Sequence, residues 1–290
     1  MNRLSNKIKK LFREIYLFIF IHKFPKFFRF SSFPYLSGDT LRNLSDHIFD
    51  ETKSINPKKV KKNDFVFVKA DRLELYFLNI HKNIDQQYNL ITHNSDKNIN
   101  NEAVLLSDNN ILNWYAQNLI TTETNNIKII PIGLENKRFL NNGLVSHFKK
   151  YQNSEKSEYI LCSFNNRNSE RTSLDQLMKE NVNVVQKNFK NHKEYTKNLA
   201  NFKFNLCPNG NGVDTHRIWE SFMVNTIPIV KNQIFISNLV KKNVPLFVVE
   251  EWEELIDIGK DELDKIYNEL IEKKKKLKIN HVEFWIKNII

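Results

Sequence analysis

Residues 202–230 read Phe-Lys-Phe-Asn-Leu-Cys-Pro-Asn-Gly-Asn-Gly-Val-Asp-Thr-His-Arg-Ile-Trp-Glu-Ser-Phe-Met-Val-Asn-Thr-Ile-Pro-Ile-Val, and this stretch decides the fold. An apolar strand pattern, Phe204 to Cys207, runs into Pro208-Asn209-Gly210-Asn211-Gly212. A helix then opens at Asp214-Thr215, carries His216, Arg217 and Glu220 in its first turns, and gives way to a second strand at Ile227 to Val230. The chain has six glycines, and two fall in this one turn. Glycine lets the backbone take positive φ and approach a ligand closely, while a helix start points N–H groups and a positive dipole end at an anion. Arg217 adds a planar charged fork suited to phosphate oxygens. Glu220, one turn after His216, can accept hydrogen bonds from sugar hydroxyls. A cradle formed by residues 209–212, Asp214, Thr215 and His216, with a cation and a hydroxyl-reading carboxylate, describes a nucleotide-sugar site. A plainer reading stands beside it. The turn can be an ordinary strand-to-helix connection, Asp214 or Thr215 simply its N-cap, and Trp219 and Phe222 core residues.

The stretch resembles the C-terminal signature of exostosin-like glycosyltransferases: Lys-Phe, Pro-x-Gly-Asn-Gly, Asp-x-His-Arg, Trp-Glu, then Pro-Ile-Val. Further blocks look similar: Phe65 to Asp71, Leu90 to Asp96, Trp114 to Asn118, Ile130 to Asn136 and Val244 to Trp252. Ribitol xylosyltransferases and many surface-polysaccharide transferases share this layout, which here covers roughly residues 60 to 255. The resemblance implies an α/β chain of GT-B architecture, with two Rossmann-like domains facing each other across a cleft. One departure is Asn225, where the group usually has Gly. A tight turn there needs Asn in a left-handed conformation, which Asn tolerates.

Hydrophobic content of 41% with 27% charged residues is globular, and 290 residues suffice for two domains. The twenty-two phenylalanines, with abundant Asn and Lys, fit a codon bias toward A and T and carry no functional weight. Cys162 and Cys207, each placed at a strand end, make no disulfide framework, so buried thiols in a reducing cytosol are expected. The net charge of +11 is uneven. Within residues 1–30 eight basic residues face Glu14 alone, interleaved with fifteen Leu, Ile, Phe and Tyr side chains. The uncharged apolar run there, Ile15 to Ile21, is far short of the roughly 20 residues that span a bilayer, and no cleavage site follows. A basic aromatic segment of this kind fits an interfacial anchor on an anionic membrane surface; the alternative is an N-terminal helix packed on the body. No nucleic-acid module accompanies the basic arm, so nucleic acid is not expected as a partner.

The organisation expected is an N-terminal segment over 1–35, an acceptor domain over 36–150, a nucleotide-sugar domain over 151–280 and an apolar tail over 281–290. In the first domain, strands are expected at Phe65 to Val68, Tyr88 to Thr92, Ala103 to Leu106 and Ile127 to Ile132. Helical spacing is read at Arg72 to Ile80 and Ile111 to Leu119. The polar stretch Asn141 to Glu158 reads as the linker. The pattern then restarts with strands at Tyr159 to Phe164, Val182 to Val185, Phe204 to Cys207, Ile227 to Val230 and Leu246 to Glu250. Alternation of this sort argues for parallel sheets covered by helices.

No Asp-x-Asp triplet occurs, and no Cys/His spacing suggests zinc; His47, His147 and His192 are expected at the surface. No metal or other cofactor is therefore expected, with helix N-termini, Arg and Lys neutralising the leaving diphosphate. By the GT-B layout, the general base for inverting transfer comes from first-domain strand ends, where Asp71, His93 and Asp96 stand. Asp71, directly after a buried strand, could be desolvated and raised in pKa, or could cap the next helix. Glu135 and Asn136 are further cleft candidates. Arg167, after the first strand of the second domain, could reach the diphosphate or be a plain loop arginine. The reading is a nucleotide-sugar-dependent glycosyltransferase acting on a glycan or lipid-linked acceptor in cell-surface polysaccharide synthesis, cytoplasmic and peripheral on the inner membrane face. A retaining transferase on the same fold and a catalytically silent nucleotide-binding scaffold are the alternatives.

Overall fold

The computed structural model describes residues 2–16, 29–139, 142–166 and 168–289. Helix α1 (Asn2–Tyr16) comes first, then α2 (Gly38–Leu44) and the short strand β1 (His47–Phe49). The first sheet continues through β2 (Phe65–Lys69), α3 (Leu73–Asn79), β3 (Tyr88–His93), α4 (Asn101–Val104), β4 (Ile111–Ala116) and β5 (Ile127–Ile129). After α5 (Val145–Lys149) the second unit follows: β6 (Glu158–Cys162), α6 (Ser169–Leu177), β7 (Val184–Gln186), α7 (His192–Leu199), β8 (Phe202–Leu206), α8 (His216–Met223), β9 (Ile227–Lys231), α9 (Ile234–Lys241) and β10 (Phe247–Val249). Helices α10 (Lys260–Lys275) and α11 (Val282–Trp285) close the chain.

Two five-stranded parallel sheets result, ordered β1-β2-β3-β4-β5 and β10-β9-β8-β6-β7. Parallel strands covered on both faces read as near-continuous apolar runs, as Phe65-Val66-Phe67-Val68 does, each residue of it buried. In the second sheet the chain steps from β6 to β7, then returns to the other side of β6 to lay down β8. That reversal is a topological switch point, and the loops leaving the C-terminal ends of β6 and β8 flank a crevice there.

Two expectations fail in the first sheet. Residues 111–119 were read as helical, yet Ile111–Ala116 is the strand β4, paired between β3 and β5 with Leu90 opposite Trp114. A strand is expected over 103–106, yet Ala103 and Val104 are the last residues of α4, whose start is capped by the Asn100 side chain accepting from the Ala103 N–H. The stretch read as linker holds α5, with Phe148 fully buried. The apolar C-terminus packs back across both units. The Leu36 N–H donates to Asn280 O at 2.8 Å and the Val282 N–H to Pro34 O at 2.9 Å. Trp285 meets Trp219 of α8 edge-on at 5.6 Å.

Candidate donor site and facing cleft

Helix α8 begins at His216 with Thr215 as N-cap, and the Thr215 side chain makes no bond to the helix. The loop before it, residues 207–215, leaves the switch point. Its carbonyls are tied from α6: Arg171 Nε donates to Asn209 O at 2.8 Å, and Asn168 Nδ2 to Asn209 O and Gly210 O at 3.2 and 3.3 Å. The Asn209 side-chain amide pairs with that of Gln233 at 3.2 and 2.8 Å. Among the described residues, a Cβ on Gly210 would meet only the Arg171 guanidinium at 3.5 Å and Gly212 O at 3.9 Å. Gly212 differs: a Cβ there would stand 2.7 Å from Asn118 Nδ2, a side chain of the first sheet. Neither takes the positive φ expected of them; among the described residues Gly133 is the glycine that does, at 66°.

Arg217 is half-buried beside this loop, its guanidinium 5.5 Å above the Tyr195 ring. Among the described residues that guanidinium makes no hydrogen bond or ion pair. Glu220, next along the helix face, is buried and accepts from His192 Nε2 at 2.8 Å. Burial pushes its carboxyl up, but His192, His216 and Arg217 together bring it below the usual carboxylate value. His192 is thus no surface residue. It starts α7, with 10% of its side chain exposed, and holds Glu220.

Asp214 and His216 turn toward the first unit. The Asp214 carboxylate is buried, accepting from the Ile132 N–H at 2.6 Å and from Trp219 Nε1 at 2.9 Å. Burial lifts its pKa to about 6 against those hydrogen bonds. His216 Nδ1 donates to Gly133 O at 2.7 Å, and Nε2 lies 3.6 Å from Glu135. Burial pulls the imidazole pKa down, yet Glu135 and Glu220 outweigh it and raise it.

On the facing side, β3 and β4 are followed by Asn94 and, after Gln117, Asn118, both left-handed, with φ of 59° and 52°. His93 is buried. Its Nε2 donates to Pro131 O at 3.0 Å and its Nδ1 accepts from the Asn94 N–H at 2.8 Å, so both nitrogens are occupied. Burial depresses its pKa to about 4, which keeps the ring neutral. Asp71 is half-exposed, accepts from Ser95 Oγ, and lies 3.1 Å from Lys69 Nζ. Burial raises its pKa, but Ser95 and Lys69 lower it further, so the carboxyl ends below its usual value and not above it, as a desolvated base would. Asp96 is exposed and accepts from Asn211 Nδ2 of the glycine loop at 3.1 Å. Asn136 donates to Asn94 Oδ1 at 3.0 Å and accepts from the Asp39 N–H at 2.6 Å; Glu135 caps the Asn136 N–H at 2.7 Å.

The structure therefore brings Asn211 against Asp96 and Gly212 against Asn118, sets Arg217 and Glu220 on α8 beside Tyr195 and His192 of α7, and places Asp214, His216, Glu135 and Asn136 in the joint between the sheets. Arg167 lies outside the described residues, as do residues 17–28 of the N-terminal segment. Sequence reasoning missed Arg171, His192 and Asn118. Only Asn118 had a signal, the Trp-Tyr-Ala-Gln-Asn block. Cys162 and Cys207 are buried free thiols, each pushed up to about 12 by burial.

Fold and site define the class: an α/β protein with two parallel sheets, whose second sheet carries the glycine loop and α8 at its switch point. The family model described as the RXYLT1 C-terminal domain matches residues 134–287, more than half the chain and all of the second sheet, and the chain belongs to that family. It is a glycosyltransferase of the exostosin-like kind, and so an enzyme. No curated protein matches the chain.

Proposed function

We propose that the chain moves a sugar from a nucleotide-sugar donor to a glycan or lipid-linked acceptor hydroxyl, on a GT-B scaffold, with inversion and without a metal ion. The observation that carries this is the Arg217 guanidinium, on the first turn of α8 over the Tyr195 ring, which among the described residues makes no hydrogen bond or ion pair. A diphosphate placed there meets a fork of N–H donors and the positive end of the helix dipole. Glu220, ionised and oriented by His192, is set to accept from ribose hydroxyls. Asp96 is the first-sheet carboxylate in contact with the loop, which makes it the preferred general base; Asp71 stands behind it through Ser95. In the reaction, Asp96 takes the proton of the acceptor hydroxyl and the acceptor oxygen bonds the anomeric carbon. The bond from that carbon to the diphosphate oxygen breaks, and Arg217 holds the leaving charge.

The exposed face of α1 supports a peripheral position on the inner membrane surface and a role in cell-surface polysaccharide synthesis. Ile8, Leu11, Phe12 and Ile15 are 43–67% exposed at one-face helical spacing, with Lys9, Lys10 and Arg13 among them. No helix among the described residues is long and apolar enough to cross a membrane.

Transfer from a panel of UDP-, GDP-, ADP- and CMP-sugars tests the reading. Asp96→Asn should lose about 10²-fold or more in turnover while still binding nucleotide, as loss of a general base does. Undiminished transfer by this variant would remove Asp96 from the mechanism. EDTA should leave the rate unchanged; strict dependence on Mn²⁺ or Mg²⁺ would contradict the metal-free step.

A further inference from the structure

We propose that Asn118 is a positioning residue that sets the spacing between the donor loop and the first-sheet carboxylates. The inference rests on the donor-site reading given above. Asn118, two residues past the end of β4, has its side chain buried and takes the left-handed conformation that Asn adopts more readily than other side-chain-bearing residues. Its Oδ1 accepts from the Asp214 N–H at 3.1 Å, and its Nδ2 donates to Ser95 O at 3.2 Å. Three atoms of the same amide lie 2.7–3.0 Å from where a Cβ on Gly212 would be, so the second glycine of the loop is what admits Asn118.

Ser95 carries the contact onward. Its hydroxyl donates to Asp71 and accepts from the Lys97 N–H at 2.9 Å, while its neighbour Asp96 holds Asn211 of the donor loop. One planar amide thus joins the start of α8, the glycine loop and the segment that bears Asp96 and holds Asp71 through Ser95. Gln117 Nε2 also donates to Ser95 O, at 2.9 Å, so this carbonyl stays bound within the first sheet when Asn118 is truncated. What truncation removes is the Asn118 bridge from this carbonyl to the Asp214 amide. Misplacing a base by about 1 Å can cost on the order of 10²-fold in rate, so the loss should fall on turnover and not on nucleotide affinity.

Asn118→Gly keeps the left-handed backbone and deletes the amide. Its turnover in sugar transfer should fall at least tenfold, with Kd for UDP and GDP as probes staying within twofold of wild type. Hydrogen exchange at the Asp214 amide should quicken at least tenfold while amides inside β3 and β8 hold their rates. Asn118→Asp keeps the Oδ1 acceptor but not the Nδ2 donor and should fall between the two; it carries the same readouts if the glycine variant does not fold. Wild-type turnover in Asn118→Gly, a matching loss of UDP and GDP binding, or unaltered exchange at Asp214 would each overturn the proposal. If the wild-type chain transfers no sugar, the donor-site reading fails by itself, and the exchange rates still decide whether the bridge exists.

Discussion

Two buried groups in the joint titrate in opposite directions, and their linkage to stability can be worked out residue by residue. His93 has its folded pKa depressed from 6.5 to about 4, so its contribution is present above 6.5 and lost as pH falls through 4. Asp214 has its folded pKa raised from 3.8 to about 6, so its contribution is present below 3.8 and lost as pH rises through 6. Each shift corresponds to roughly 3 kcal/mol, and in the wild type the two slopes oppose each other between about pH 4 and 6. Relative to wild type, His93→Gln should therefore gain stability on acidification over that window and Asp214→Asn should lose it. Urea titrations at several pH values read both, and parallel curves for all three proteins would show that neither group titrates there. At this scale the sequence was only half legible. It marks Asp214, His216 and His93 as site residues by the chemistry they can do. Whether a carboxylate faces a ligand or the Ile132 N–H depends on where a second sheet comes to rest, and no local pattern encodes that.

Among elements, the turn between α8 and β9 shows a local rule at work. Asn225 takes φ 58°, the left-handed value anticipated from its replacing a glycine. Its side chain then does what glycine cannot: Nδ2 donates to Gln152 O at 2.8 Å and Oδ1 accepts from Lys274 Nζ at 2.6 Å. Asn225→Ala should cost about 2–4 kcal/mol, the sum of a left-handed Cβ and two lost bonds, read as a fall in the denaturant midpoint. A change under 0.5 kcal/mol would mean the turn relaxes freely. Helix α7 and strands β2, β3, β8 and β9 were readable because their apolar runs and flanking turn residues agree with their final state. Strand β4 was not, since Ile-Leu-Asn-Trp-Tyr-Ala fits either period and its pairing between β3 and β5 decides. Strand β1, with three residues, is too short to leave a periodic trace.

For the whole molecule, the sheets were legible as two βα series, whereas the joint, built from residues 34–36, 130–136, 214–219 and 280–285, was not. Its parts lie up to 250 residues apart and meet only in three dimensions. The uneven charge makes a prediction at this scale. The full chain should sediment with anionic liposomes and be released as salt rises, because polybasic attraction of about 1 kcal/mol per Lys or Arg is screened within a Debye length. A version starting at Ser31 should stay in solution. Equal sedimentation of both, or no preference for anionic lipid, would return the segment to a packing role.

The central claim is that α8 and its glycine loop hold a nucleotide sugar through Arg217. Calorimetric titration of UDP-, GDP-, ADP- and CMP-sugars onto the wild type and onto Arg217→Ala tests it most directly. The account predicts that one nucleotide class binds the wild type, and that the variant keeps its thermal midpoint while losing about 1.5–3 kcal/mol of affinity, roughly ten- to a hundredfold. Binding by Arg217→Ala as tight as that of the wild type, or a wild type that binds none of the four, would contradict it.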